Sequence, residues 1–271
     1  MTPKLKFADR LALIAVVLAA VAAAAGLLVS GLYRDPAEGV RQARATDLVT
    51  LLVAVPVLAL GLWRARRGSA GGRLVAIAAL GYLAYSYAIY AFSVVINPLT
   101  PVHIAILGLT TWSFVLTVFG LDDATVDRAA GFRLPRRTTG GFLILVAALF
   151  AMLWLSQIAG AITSGQLPKA VSDLNLPTSA VYVLDLAFAL PLITLAAVWL
   201  LRRDRHGPAS AAAGLGFLVI LGLSVLAIFA FDAAAGLTVE APPIVIFGVV
   251  TVAAAILLGA ALTSSARERS A

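Results

Sequence analysis

Apolar residues in this chain gather into eight long runs, at roughly residues 11–33, 47–63, 74–96, 102–121, 141–162, 178–201, 211–232 and 243–263. A helix rises 1.5 Å per residue and needs about 20 apolar residues to cross the hydrocarbon core of a bilayer. Seven of the runs meet that length, and the second falls slightly short. The pattern predicts an all-α fold: one polytopic bundle of eight transmembrane helices, a single transmembrane domain over residues 1–271.

The polar connections between the runs differ by sign. Alternate connections and the two ends of the chain hold Lys4, Lys6, Arg10, Arg64, Arg66, Arg67, Arg73, Arg128, Arg133, Arg136, Arg137, Arg202, Arg203, Arg205, Arg267 and Arg269. The other connections hold only Arg34, Arg41, Arg44 and Lys169. Short loops rich in Lys and Arg resist translocation and stay in the cytoplasm. Both termini are therefore expected on the cytoplasmic face. The first run, preceded by Lys4, Lys6 and Arg10, has the flanks of a signal peptide, but its apolar length suits an uncleaved helix.

The second run is short by hydropathy, yet its helix is expected to start well before it. Asp35 reads as an N-cap, Pro36 as the first helical residue, and Glu38 stands three residues past the cap. The helix then extends from about 36 to 63, near 40 Å at the helical rise, with a kink at Pro56. A weak repetition links this run to the sixth. Asp47-Leu48, Pro56, Trp63, a basic run and Gly68 are echoed by Asp185-Leu186, Pro191, Trp199, a basic run and Gly207. Such a duplication would divide the chain into halves 1–137 and 138–271, parallel about an axis along the membrane normal. The alternative is that Trp followed by Arg is common where any helix leaves the membrane.

Composition narrows the chemistry. Hydrophobic residues make up 62% of the chain and charged ones 12%, about half the charged share of a soluble domain. The sequence pI near 10.2 comes from charges that flank apolar runs and form no single stripe, so nucleic acid is not an expected partner. There is no cysteine, which excludes thiolate catalysis, disulfide exchange and Cys-ligated metals. The Ala-rich, Arg-over-Lys usage suggests a bacterial chain of high genomic GC content and a cytoplasmic-membrane location.

Polar residues inside the runs mark the candidate site, since in lipid they must face another helix or a cavity. Successive helical residues advance roughly 100°. Tyr82, Ser86, Tyr90, Ser93 and Asn97 then share one face of the third helix, and Thr178, Tyr182 and Asp185 one face of the sixth. His103, Thr110, Ser113 and Thr117 lie together on the fourth. Asp185 stands out because an ionised carboxylate at that depth must be paired, hydrated or protonated. Arg41 or Arg44 is its expected ion partner, with Tyr82, Tyr90 or His103 as hydrogen-bond donors. Arg41 and Arg44, three apart on one helical face, could hold a phosphate or carboxylate between them. Taken as structural features, they form a ladder with Glu38 and Asp47. The candidate ligand-binding set is Arg41, Arg44, Asp47, Tyr82, Tyr90, Asn97, Tyr182 and Asp185, and Asp185 and His103 are the candidate acid–base groups.

Other chemistries find no support. With only His103 and His206, one chain cannot ligate a haem through two stacked histidines. No lysine lies within a run, so a retinal Schiff base is excluded. Asp122, Asp123 and Asp127 are too irregularly spaced for a diphosphate–magnesium motif and read as solvated helix-end charges. No Gly-x-Ser-x-Gly, His-Glu-x-x-His or phosphate-binding glycine loop is present. No metal or organic cofactor is expected.

The run from Arg34 through Leu52, the Asn97-Pro98-Leu99 turn, and Leu176-Pro177-Thr178 followed by Val181 to Leu186 resemble segments of uncharacterised bacterial multi-pass membrane proteins. That resemblance implies a membrane bundle and no activity. The leading functional expectation is a polar pocket open to the extracytoplasmic face that binds or transports a small anionic molecule or lipid. The alternatives are an enzyme acting on a lipid-linked substrate at the outer leaflet and a non-catalytic accessory subunit. The bilayer is the one certain partner, and the sequence leaves the oligomeric state open.

Overall fold

The computed structural model describes residues 2–132 and 134–267. Arg133 and Arg269, two of the residues in the basic partition, lie outside them. The described residues are all-helical, and eight helices are long and apolar enough to cross a membrane. We number them α1 (Pro3–Leu28), α2 (Ala37–Arg66), α3 (Ala70–Ser93), α4 (Thr100–Phe119), α5 (Arg136–Ser164), α6 (Ala180–Leu201), α7 (Gly207–Ala234) and α8 (Ala241–Arg267). Short helices Asp123–Ala130 and Lys169–Ser172 join α4 to α5 and α5 to α6. The protein is a multi-pass membrane bundle.

The helices pack as two groups. Helices α1 to α4 close into a ring in which α1 touches α2 and α4, and α3 touches α2 and α4. Helices α5 to α8 pack in chain order. The groups meet where α7 lies against α3 and the first half of α2. Each group has its own hydrophobic core, one around Leu58, Leu80, Leu83 and Ile106, the other around Leu143, Ile193, Leu200 and Leu215. Helix α3 is the most enclosed of the eight. Small side chains permit the close approach: Ala8, Ala12, Ala15, Ala19 and Ala22 form a buried seam on α1, where a larger residue would hold the neighbouring backbones apart.

The end of the bundle that carries the N-terminus is locked by ion pairs. Asp9 on α1 accepts from Arg73 Nη1 at 2.5 Å and lies 3.6 Å from Arg66 Nε. Gly68 makes the tight α2–α3 turn with φ of 80°, a conformation in which a side chain would be strained. Its carbonyl accepts from Arg128 at 3.2 Å. Asp122 caps its short helix through the Thr125 N–H at 2.9 Å, which also holds its carboxyl below the usual range. Asp123 pairs with Arg205. These aspartates therefore serve as a cap and a surface ion pair.

Helix α2 does begin ahead of its apolar run and continues unbroken for 30 residues. Its cap differs by one position from expectation. Pro36 is the N-cap and Ala37 the first helical residue, while the Asp35 carboxylate instead accepts the Val95 N–H at 2.9 Å and ties the α3–α4 connection to α2. Burial raises the pKa of Asp35, and that Val95 N–H works against the rise.

Pro56 leaves its mark as a π-turn over Thr50–Ala54, closed by the Val55 N–H on the Thr50 carbonyl. A proline lacks an N–H and its ring crowds the carbonyl one turn back. One wide turn just before it relieves both problems. Helix α6 uses the same device: a π-turn over Asp185–Ala189, then Pro191. Matching the prolines sets Asp185 opposite Thr50, and not opposite Asp47 as the sequence alignment of the two helices has it.

Candidate functional site

At the end of the bundle away from the N-terminus, two buried carboxylates lie on either side of one cavity. The first is Asp47 of α2, 2% exposed. Its Oδ2 accepts from the Tyr33 hydroxyl at 2.6 Å, and its Oδ1 lies 2.9 Å from the Tyr90 hydroxyl, which also reaches the Ala43 carbonyl at 2.8 Å. Burial raises the Tyr33 pKa well above the usual range, so this phenol stays protonated and remains a donor. Gly26 of α1 makes room for the pair, since a Cβ there would overlap Asp47 and meet the Tyr33 hydroxyl at 2.5 Å. Tyr87 stacks on Tyr90 with ring centroids 5.3 Å apart, and His103 packs on Tyr90 at 4.8 Å. His103 is 1% exposed and its Nδ1 has no hydrogen-bond partner.

The second carboxylate is Asp185, at the start of the α6 π-turn. Its Oδ2 accepts the Trp154 indole N–H at 2.7 Å, and the Tyr85 hydroxyl lies beside it. Trp154 stacks on Tyr182 with centroids 4.9 Å apart. The expected ion pair is not formed. Arg41 Nε is 2.7 Å from Asp232 of α7, and Arg44, three residues before Asp47, has a buried Nε that no acceptor meets. Asp232, near the end of α7, takes the Arg41 guanidinium instead. Nor are Tyr82, Tyr90 or His103 the donors to Asp185; Trp154 takes that place.

Between the carboxylates lies a cavity of about 400 Å³, within the range of roughly 300–1,000 Å³ common for small-molecule sites. Its walls come from α2, α3, α5, α6, α7 and α8, and it reaches the connections at Asp35, Ala170 and Leu174. Most of the lining is apolar, with Phe150, Phe217, Phe229 and Phe247 contributing rings. The polar lining includes Gln42, Thr46, Tyr85, Ser86, Tyr90, Ser93, Trp154 and Ser224, and among the described residues its charged side chains are Asp35 and Asp185, with no basic one.

The candidate set therefore divides. Tyr90 and Asp185 line the cavity. Asp47 stands behind Tyr90, and Tyr82 is fully buried beneath the cavity between α2, α3 and α7. Tyr182 faces an outer groove of about 440 Å³ beside Ile158, Thr178 and Leu186. Arg41 and Arg44 are not in the lining. Asn97 shapes its own turn, with Oδ1 accepting the Leu99 N–H at 2.8 Å and Nδ2 donating to the Val95 carbonyl at 3.0 Å.

The residues that sequence reasoning missed are Tyr33, Tyr85, Trp154, Asp232 and Asp9. Only Asp9 carried a signal, as the one acid in a basic N-terminal stretch. No family model matches this chain, and no curated protein or solved structure matches it at a significant level.

Proposed function

We propose that the protein binds a membrane-partitioned amphiphile in the cavity between its two helix groups. The ligand's apolar body would lie among the phenylalanines, and a cationic or hydrogen-bond-donating head would meet Asp185. The observation that carries this reading is the lining: a carboxylate held by Trp154, a second at Asp35, and, among the described residues, no basic side chain. A buried carboxylate is stabilised by donors or positive charge, and here the protein supplies neutral donors only. This reverses the sign of the head group expected from Arg41 and Arg44, because Arg41 is engaged by Asp232 and Arg44 lies outside the cavity.

A one-ended site suits capture and presentation better than through-transport. The lining includes no residue from the N-terminal end of the bundle, where Asp9, Arg66 and Arg73 hold three helices together. On the basic partition, the cavity end is extracytoplasmic in a bacterial cytoplasmic membrane. Reporter fusions after Arg137 and Arg205 are expected to read as cytoplasmic, and fusions near Lys169 and Thr238 as external. A reversed pattern would overturn the sidedness and leave the cavity chemistry standing.

The binding test uses decylammonium and decanoate, matched in chain length and opposite in charge, with protein in zwitterionic nanodiscs. Decylammonium is expected to change tryptophan emission saturably, and the change to disappear in Trp154→Phe. Asp185→Asn should raise the half-saturating concentration about tenfold or more, the equivalent of losing ~1.4 kcal/mol. Equal binding of decanoate, or decylammonium binding untouched by Asp185→Asn, refutes the assignment. A second reading rests on the unpaired Nε of Arg44, an anionic head group beside the first turns of α2. Decanoate binding that is lost in Arg44→Gln and kept in Asp185→Asn would select it.

A further inference from the structure

Beneath the cavity five hydroxyls from three helices converge: Thr46 and Thr50 on α2, Tyr82 and Ser86 on α3, and Ser224 on α7. Thr46, Ser86 and Ser224 form part of the cavity lining. Ser224 Oγ and Thr46 Oγ1 are 3.5 Å apart. Tyr82 and Thr50 lie behind them, 0% and 1% exposed, and neither hydroxyl makes a hydrogen bond of acceptable geometry.

Thr50 differs from several threonines in these helices. Thr110, Thr163, Thr194, Thr251 and Thr263 each donate to the carbonyl four residues back, at 2.6–2.9 Å. That local bond is how a hydroxyl is ordinarily satisfied inside a membrane helix. Thr50 opens the α2 π-turn and does not make it. A buried hydroxyl left without a partner is costly, and here two such groups face the same small space.

We propose that these hydroxyl oxygens form a binding site for a desolvated monovalent alkali cation of sodium size. The donors are neutral oxygens, with Asp47 as the nearby carboxylate, so the site lacks the charge to strip water from a divalent ion. An anion is disfavoured by the nearby Asp47 carboxylate. The spacing fits the ion's size. Hard cations of this radius hold oxygens at about 2.4 Å, which puts neighbouring ligands of an octahedron ~3.4 Å apart. The Ser224–Thr46 distance matches, whereas potassium, a larger ion, would spread them further.

The test does not depend on the cavity's occupant. Thermal unfolding of purified protein is followed at fixed ionic strength in N-methyl-D-glucamine chloride, then with NaCl or KCl replacing it. Sodium is expected to raise the midpoint saturably, by roughly 3–6 °C at ten times its half-saturating concentration, and potassium to do so less. Thr50→Val and Tyr82→Phe each remove one oxygen and keep the shape. Both should raise the half-saturating sodium concentration at least tenfold, while Asp123→Asn, at the opposite end of the bundle, leaves it unchanged. Should Thr50→Val fail to fold, Tyr82→Phe, which deletes a hydroxyl that makes no hydrogen bond, decides the matter. Identical midpoints in all three salts overturn the proposal, as does a sodium response that survives Tyr82→Phe at its wild-type concentration dependence.

Discussion

Asp9→Ala is expected to destabilise the protein by about 3–5 kcal/mol, because it removes one partner of a buried ion pair and leaves the other charge in place. Asp9 is 1% exposed, and Arg73 reaches it with both terminal nitrogens, at 2.5 and 3.4 Å. Arg66, about half exposed, adds a longer contact at 3.6 Å. The three residues belong to α1, α2 and α3, so the loss falls on the whole N-terminal end of the first helix group. Replacing both members, as in Asp9→Ala/Arg73→Leu, should recover a large part of the loss, since no stranded guanidinium then remains. Asp123→Ala serves as the control. Its pairing with Arg205 lies at the surface, where such pairs contribute ~0–1 kcal/mol. Unfolding in detergent by heat or denaturant reads wild type, Asp9→Ala, Arg73→Leu, the double mutant and the control. Additive losses in the double mutant would show that Asp9 and Arg73 do not interact energetically.

Gly26→Ala should be the most damaging single methyl group. The added carbon would occupy the space of the Asp47 carboxylate and press on the Tyr33 hydroxyl. Forced overpacking costs about 1–3 kcal/mol, and losing a hydrogen bond to a charged group adds roughly 1.5–3 kcal/mol. The same substitution at Gly108 or Gly141, both on membrane helices with no atom within 4 Å of the built Cβ, should be neutral or mildly stabilising, since alanine favours helix over glycine. A melting midpoint for Gly26→Ala equal to wild type would mean that Asp47 moves aside without loss. The Tyr33–Asp47 bond would then not be a fixed element of the site.

The helices were largely readable because hydropathy in a membrane protein is a strong, redundant signal carried by every residue of a span. The early start of α2 was readable too, from Pro36 and Glu38, even though the cap itself moved by one residue. Partner choice was not readable. Asp185 was expected to meet Arg41, and the outcome turned on Asp232, a residue 191 positions from that arginine. Which of two aspartates lies nearer a guanidinium depends on the rotation of three helices about their axes, and hydropathy constrains that weakly. Trp154 was invisible for a related reason. An indole in an apolar span reads as lipid-facing bulk until a carboxylate is found at its N–H.

The paired π-turns have a mechanical meaning. A straight helix resists bending because every amide tethers the carbonyl one turn back. At Pro56 and Pro191 that tether is missing, and the wide turn before each stretches its neighbours. Bending stiffness is therefore lowest at two points, one on each of two helices that wall the cavity, and both near its depth. The segments that follow the joints are anchored in packed cores, whereas those that precede them carry Asp47, Tyr182 and the cavity rim. The aperture can thus change breadth by flexing two short levers while the rest of the bundle keeps its shape. Under the binding proposal, guests of different girth would be met by a bend and not by an unpacking.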